Sequence, residues 1–453
     1  MSFTEQTPTG EANNYCAIDF GTSNSAIAVP RAGVSGPDEA NDAGDGGMQL
    51  VELEAGQPTM PTAVFYLAEG PDLVNLPRLY GRAAIATYVE GHEGRLMRSM
   101  KSVLGSALMD QRTDIGAGRS VSFAEVISSY LLQLKRSAEA TQGGAPLRRV
   151  VLGRPVYFVD DDPVRDAAAQ AALEAAARSV GFEEVGFQFE PIAAALDHES
   201  QIDHEELVLV ADIGGGTSDF SLVRVGPAQR QQLDRRADVL ANHGVHIAGT
   251  DFDRRVSLAC LMREFGLGSY GKPSQGQPAR EVPSKVYHDL ATWHLINTVY
   301  RPARVAEVRA MRVNFADERY WRRLLRVIDA HLGHDLAARA EAAKIAVAAG
   351  GDTVVDLSLV EPGLTLPLQA APTVASLSGD IQRIVDAALE TVKRAGSSAG
   401  AVDALYFTGG STGLSSLTAA LAGAFPQARP VHGERLASVA TGLAIYARRL
   451  FSA

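Results

Sequence analysis

The stretch LVLVADIGGGTSDFSLVRV, residues 207–225, decides how the rest of the chain is read. An apolar run suited to a buried strand ends on Asp212. Gly214, Gly215 and Gly216 follow, then Thr217, Ser218 and Asp219, and a second apolar run resumes. A turn between two strands does not need three glycines, since each costs conformational entropy on folding. The surplus freedom implies that something presses on the backbone. Backbone N–H groups in such a turn make a concave site for anions, and the hydroxyls of Thr217 and Ser218 add to it. Asp212 and Asp219 bracket the loop. Carboxylates beside phosphates make chemical sense with a bridging cation, and Mg²⁺ commonly keeps its waters while touching one or two carboxylates.

The same device stands at the N-terminus. YCAIDFGTSNSAIAV, residues 15–29, is again an apolar run ending on an acid, Asp19, with Gly21, Thr22, Ser23 and Asn24 in the turn. Two weakly similar copies are what a duplicated two-lobe fold leaves in a sequence. A third turn, Gly409-Gly410-Ser411, follows the apolar run ALYFT. Its paired glycines allow a flat group such as a nucleoside to lie on the backbone. One such turn alone is equally well explained as a tight connection, because lone glycine motifs are weak signals. Two Asp-Gly-Thr hairpins and a Gly-Gly-Ser turn, in this order, are much harder to explain that way.

The surrounding chain fits a two-lobed α/β protein. Its 453 residues allow about two to three units at roughly 150 residues each, and 46% hydrophobic with 21% charged residues is ordinary for a full core. Residues 150–158 read as a strand. Asp162 caps and Pro163 opens a helix that Gly181 ends, and another helix begins at Pro191. Helices are also expected over 121–141, 300–349 and 376–395, and strands over 352–370. Strands alternate with helices, so the class is α/β. A disordered polar tail is expected over 1–14 and a mobile loop over 31–47.

The net charge of −11 speaks against non-specific binding to nucleic acid or an anionic membrane. Arginines crowd 301–326, but Glu307, Asp317 and Glu318 are interspersed, so the segment reads as an ion-paired solvated face. Cys16 and Cys260 lie far apart in apolar contexts, which excludes a disulfide framework and a cysteine metal site. The chain opens on no signal-peptide pattern and holds no apolar run of the ~18 residues needed to span a membrane. The cytoplasm is the expected compartment.

Together these motifs resemble the ATPase domain of DnaK-type heat-shock chaperones, within the superfamily of actin, sugar kinases and heat-shock proteins. The segments are AIDFGTSNSAIAV, GRPVYFVDDDPVRDAA, FEPIAAAL, ADIGGGTSDFSLV, HIAGTDFDRRV, YFTGGSTGLSSL and VATGLAIYA, spread over about residues 15–448. The resemblance implies the actin-like ATPase fold, with ribonuclease H-like duplicated lobes and a deep central nucleotide cleft. It implies lobe I over 15–205, lobe II with a helical nucleotide-capping subdomain over 206–435, and a helix over 436–453 returning to lobe I. It implies ATP or ADP as ligand, with Mg²⁺ held through water by Asp19 and Asp212. Thr22, Ser23 and Asn24 beside Gly21 would bind phosphate, and Gly214, Gly215, Gly216 and Thr217 would wrap it from the other lobe. Lys101, Glu190, Asp212 and Thr217 match catalytic positions, and Glu341 and Lys344 the pair that brackets the ribose. Gly409, Gly410 and Ser411 match the adenosine motif. Taken alone, Lys101 would read as a solvated helix lysine, and Glu341 with Lys344 as a surface pair.

The chain departs from the family pattern at Gly413, where an adenine-stacking arginine is usual, at Ala348 and at Thr250. Base selectivity is in question for that reason, whereas the phosphate chemistry reads as intact. The expected layout, without a peptide-binding domain, resembles the YegD group of bacterial heat-shock-like proteins. The function so implied is a slow ATP-hydrolysing switch acting on a protein partner or client, with no nucleic acid or membrane partner. A non-hydrolysing nucleotide-binding scaffold, an actin-like filament protein and a sugar-kinase-like enzyme are the alternatives.

Overall fold

Two sheets of the same strand order carry the two aspartate hairpins. In the computed structural model, which describes residues 14–31, 47–68, 77–109, 111–116, 118–159, 161–273, 278–433 and 437–451, the first sheet runs Glu184–Phe189, Arg149–Arg154, Tyr15–Phe20, Asn24–Pro30 and Met48–Leu50. The second runs Arg429–His432, Ala404–Thr408, Glu206–Ile213, Ser218–Val225 and Val239–Val245. In both, the central strand pairs antiparallel with its hairpin partner and parallel with the strand on its other side. The register sets Asp19 opposite Ala26 and Asp212 opposite Asp219. The duplicated α/β architecture of the actin-like ATPase fold is therefore present. The tail expected over 1–14 and the loop over 31–47 lie, but for their end residues, outside the described residues.

Each outer parallel strand is reached through a helix, because parallel neighbours need a crossover. The helix Pro163–Ser179 makes the first crossover, and Asp162 caps it by accepting from the N–H of Arg165. The helix Ser415–Ala424 makes the second. The strand expected over 150–158 stops at Arg154, since Pro155 has no N–H to give to a ladder.

Two smaller bodies rise from the sheets. Strands Ala63–Leu67, Arg78–Tyr80 and Gly94–Arg98, with helix Gly81–Val89, form one, around Ala63, Phe65 and Ala84. The other is largely helical and has its own core, including Met262, Phe265, Tyr287, Leu324 and Leu336. The arginine-rich segment lies here and is ion-paired as expected: Arg304 with Asp289, Arg309 with Asp329, Arg319 with Asp317, Arg323 with Glu264.

The helix Ser438–Phe451 returns to the first sheet and lies on the helix Glu190–Gln201. Gly442 allows this approach, because a Cβ there would overlap the Ala193 carbonyl oxygen. Among the described residues no helix is long and apolar enough to cross a membrane.

Candidate functional site

The two hairpin loops face one another across a cleft of about 1720 Å³. A Cβ placed on Gly215 would stand 3.0 Å from Ser23 Oγ, which measures how closely the loops approach. Every site residue expected from the sequence lines this cleft: Asp19, the turn from Gly21 to Asn24, Lys101, Glu190, Asp212, the turn from Gly214 to Thr217, Glu341, Lys344 and Gly409 to Ser411.

Each loop is held from behind through its carbonyls. In the first, Thr62 Oγ1 donates to Gly21 O at 2.8 Å and the Thr62 N–H to Ser23 O at 2.9 Å. In the second, Ser411 Oγ donates to Gly214 O at 2.6 Å. Both the N–H and the hydroxyl of Thr250 reach Gly215 O at 2.8 Å. With carbonyls anchored outward, among the described residues no hydrogen bond engages the N–H of Gly215 or Gly216. That is the arrangement a backbone anion site needs.

Lys101 sits on a short 3₁₀ turn, Met100–Val103, entered through Ser99 in the left-handed region (φ 54°). Glu190 opens the helix Glu190–Gln201. The Lys101 ammonium donates to Glu190 Oε1, with side chains only 8% and 15% exposed, so the pair is largely out of water. The solvated reading of Lys101 is thereby ruled out. Burial works to lower the Lys101 pKa, but Glu190, Asp19 and Asp212 outweigh it and hold the ammonium charged.

The carboxylates pull the other way. Asp212 is pushed up to about 7, by burial first and then by Asp219 and Glu190. Asp19 is likewise held well above the usual carboxylate range, by burial and then by Glu190. Asp219 stands more open to the cleft. Four carboxylates thus converge with one ammonium, and a hard cation offered oxygen donors would relieve the excess. Among the described residues no three His, Cys, Asp or Glu side chains form a direct cage. A cation touched by one or two carboxylates through its own waters fits that donor set.

At the far end, Lys344 Nζ lies 2.8 Å from Asp253 Oδ1, while Glu341 is exposed. Ser415 Oγ donates to Ala348 O at 3.0 Å and draws this helix end to the third turn. Gly409 has φ 87°, and a Cβ there would stand 2.5 Å from Ile213 O and 2.8 Å from Asp212 Oδ1. The third turn therefore touches the base of the second hairpin. Sequence reading missed Thr62, Gly249 and Asp253. Gly249 carried a signal, since Thr250 beside it stood out as a departure, but Thr62 carried none.

A family model described as Hsp70 protein matches residues 70–269. Among curated proteins, the chaperone protein DnaK of Thermosipho melanesiensis is 32% identical over 250 residues, 55% of this chain and 35% of that protein. The chaperone protein DnaK of Thermotoga maritima is 30% identical over 281 residues, 61% of this chain and 41% of that protein. The chain matches less than half the length of these relatives.

Proposed function

Because this chain belongs to the Hsp70 family, we propose that its cleft binds ATP with Mg²⁺ and hydrolyses it slowly, as a switch between two lobe positions. The observation that carries the reading is the convergence of two aspartate hairpins, a Gly-Gly-Ser turn and the Lys101–Glu190 pair on one cleft. The N–H groups of Gly215, Gly216 and Thr217, with Thr22, Ser23 and Asn24 opposite, hold the phosphates from both sides. Gly409, Gly410 and Ser411 receive the nucleoside, and Glu341 and Lys344 its ribose.

Asp19 and Asp212 would hold Mg²⁺ through its waters, and the cation would supply charge neutralisation on the phosphate oxygens. The Lys101 ammonium faces the same oxygens and gains most as charge builds on them in the transition state. Glu190 and Thr217 accept the hydrogens of the attacking water and aim its lone pair at the γ-phosphorus. Positioning and electrostatics supply nearly all of the catalysis in phosphoryl transfer. A switch benefits from a long-lived bound state, so single turnover is expected below the ~1–100 s⁻¹ of kinases.

The test is hydrolysis of ATP with Mg²⁺ by the wild type, Lys101→Ala and Asp212→Ala. Slow wild-type turnover, with both variants binding nucleotide but stalled, upholds the proposal. Binding without hydrolysis by any of the three would make the protein a nucleotide-sensing scaffold.

A further inference from the structure

The far end of the cleft lies where the third turn meets the last turns of the helix Gly333–Ala348. It is built from Ile345 and Ala348 on the helix side and from Gly413 and Leu414 on the other. Ile345 is 59% exposed, an aliphatic side chain left bare beside the cleft. Gly413 brings no side chain at all. Such a surface suits the flat face of a ring, and these four residues offer no side-chain donor or acceptor to the ring's edge.

The hydroxyls nearby are engaged elsewhere. Ser411 Oγ donates to Gly214 O, and Thr412 Oγ1 donates to Gly409 O at 2.7 Å. A helix C-terminus ordinarily leaves carbonyls without partners, but here the last turn is satisfied. Ile345 O and Ala346 O accept from the Ala349 N–H, Val347 O accepts from the Gly350 N–H, and Ala348 O accepts from Ser415 Oγ. Lys344 is held by Asp253. Ser257 also borders the cleft, but its hydroxyl is closed off from solvent and so from a ligand seated there. Arg254 borders the cleft from the same helix as Ser257 and is exposed. On its flexible stem the guanidinium can follow whichever acceptor is present, so it fixes no choice of base.

A site that hydrogen-bonds a polar group of its ligand rejects an analogue lacking that group by about 10⁴–10⁵-fold, whereas an apolar pocket separates near-isosteres by only about 10–200-fold. Adenine, guanine and hypoxanthine share one ring outline and differ in the polar groups on its edge. We infer that the cleft takes purine nucleotides as a class, holding them by phosphate and ribose while the base lies unread on Ile345 and Gly413. The inference rests on the nucleotide reading of the cleft.

The test is displacement of radiolabelled ADP, with Mg²⁺ and in equilibrium dialysis, by unlabelled ADP, GDP and inosine diphosphate. The three should compete within about tenfold of one another, the low end of what an apolar seat allows. Ile345→Ala trims the seat at an exposed position and should weaken all three by a common factor of roughly 2- to 5-fold. A preference for one base beyond tenfold, on the same scale, overturns the inference. So does an Ile345→Ala effect that is confined to one nucleotide or absent from all three. A wild type that retains no labelled ADP sinks the cleft reading itself. Retention of ADP with GDP and inosine diphosphate shut out leaves that reading intact and sinks the base tolerance alone.

Discussion

The two aspartate hairpins share strand order and register but are propped differently. The first has a three-residue loop, residues 21–23, whose Gly21 and Ser23 carbonyls rest, among the described residues, on Thr62. The second has a four-residue loop, residues 214–217, held by Gly249, Thr250 and Ser411 from two separate elements. Asp19 faces an alanine across its hairpin and Asp212 faces a second acid. The lesson is that the repeat preserves what faces the cleft, an acid at the strand end and turn N–H groups that, at Thr22, Ser23, Gly215 and Gly216, meet no hydrogen-bond acceptor among the described residues. What stands behind each loop differs with the neighbours its sheet provides.

The sharpest way to break this equivalence is through turnover. Asp212→Ala and Asp19→Ala should each slow ATP hydrolysis by about 10²–10³-fold, the scale seen when one preorganised charge-stabilising group is lost. Steady-state assays that place the two variants more than tenfold apart would show that the copies have divided the labour. The next contrast is between glycines. A Cβ on Gly21 would overlap the Asn24 carbonyl oxygen, whereas one on Gly216 would meet nothing within 4 Å. Gly21→Ala should therefore cost about 2 kcal/mol or more in denaturant unfolding, and Gly216→Ala less than about 0.5. Gly216→Ala should still weaken nucleotide binding, because the added methyl group stands where phosphate meets the backbone. Unchanged affinity would leave the third glycine of the run without a reason.

Acidity sharpens the contrast further. Asp212 titrates near 7 in the folded protein, against about 3.8 when unperturbed. The folded state then binds more protons than the unfolded chain between those values, so its stability is greatest at the acid end and falls as pH rises through about 7. In EDTA at pH 8, Asp212→Asn should melt roughly 2–4 °C above wild type, and the advantage should vanish at pH 4. The last contrast concerns the props. Thr62→Val keeps shape but leaves Gly21 O without its hydroxyl donor, at about 1–2 kcal/mol. Ser411→Ala should cost less, because the Gly249 N–H still reaches Gly214 O at 3.3 Å. Equal losses in urea titrations would mean the two supports are energetically alike.

The fold class and the three turns were legible because their signals are local: apolar runs, an acid at the strand end, and glycines in excess of what a turn requires. Lys101 was legible only through family resemblance, since nothing in RSMKSVLG shows that its ammonium would be buried against Glu190, 89 residues away. Thr62 was invisible for a similar reason. Its role comes from pairing of the strand Thr59–Pro61 with Asn24–Pro30, a long-range register that periodicity does not encode. The strand expected over 150–158 ends at Arg154 because Pro155 has no N–H for the ladder, which the apolar run on either side of it hides. Lys344 was expected at the ribose, but its ion pair with Asp253 on the helix Gly249–Ala259 was not.

The seat of Gly442 on Ala193 bears on how the chain acquires its structure during synthesis. Tyr15, Ala17 and Ile192 share one buried cluster with Leu443, Ala444 and Ala447. The first sheet therefore leaves the ribosome with one face uncovered. At about 5–20 residues per second, the helix that covers it arrives on the order of 10–50 s after residue 205 is made. Throughout that interval an apolar surface stands open on a half-made protein, and a relative of chaperones becomes, for a time, a nascent chain in need of one.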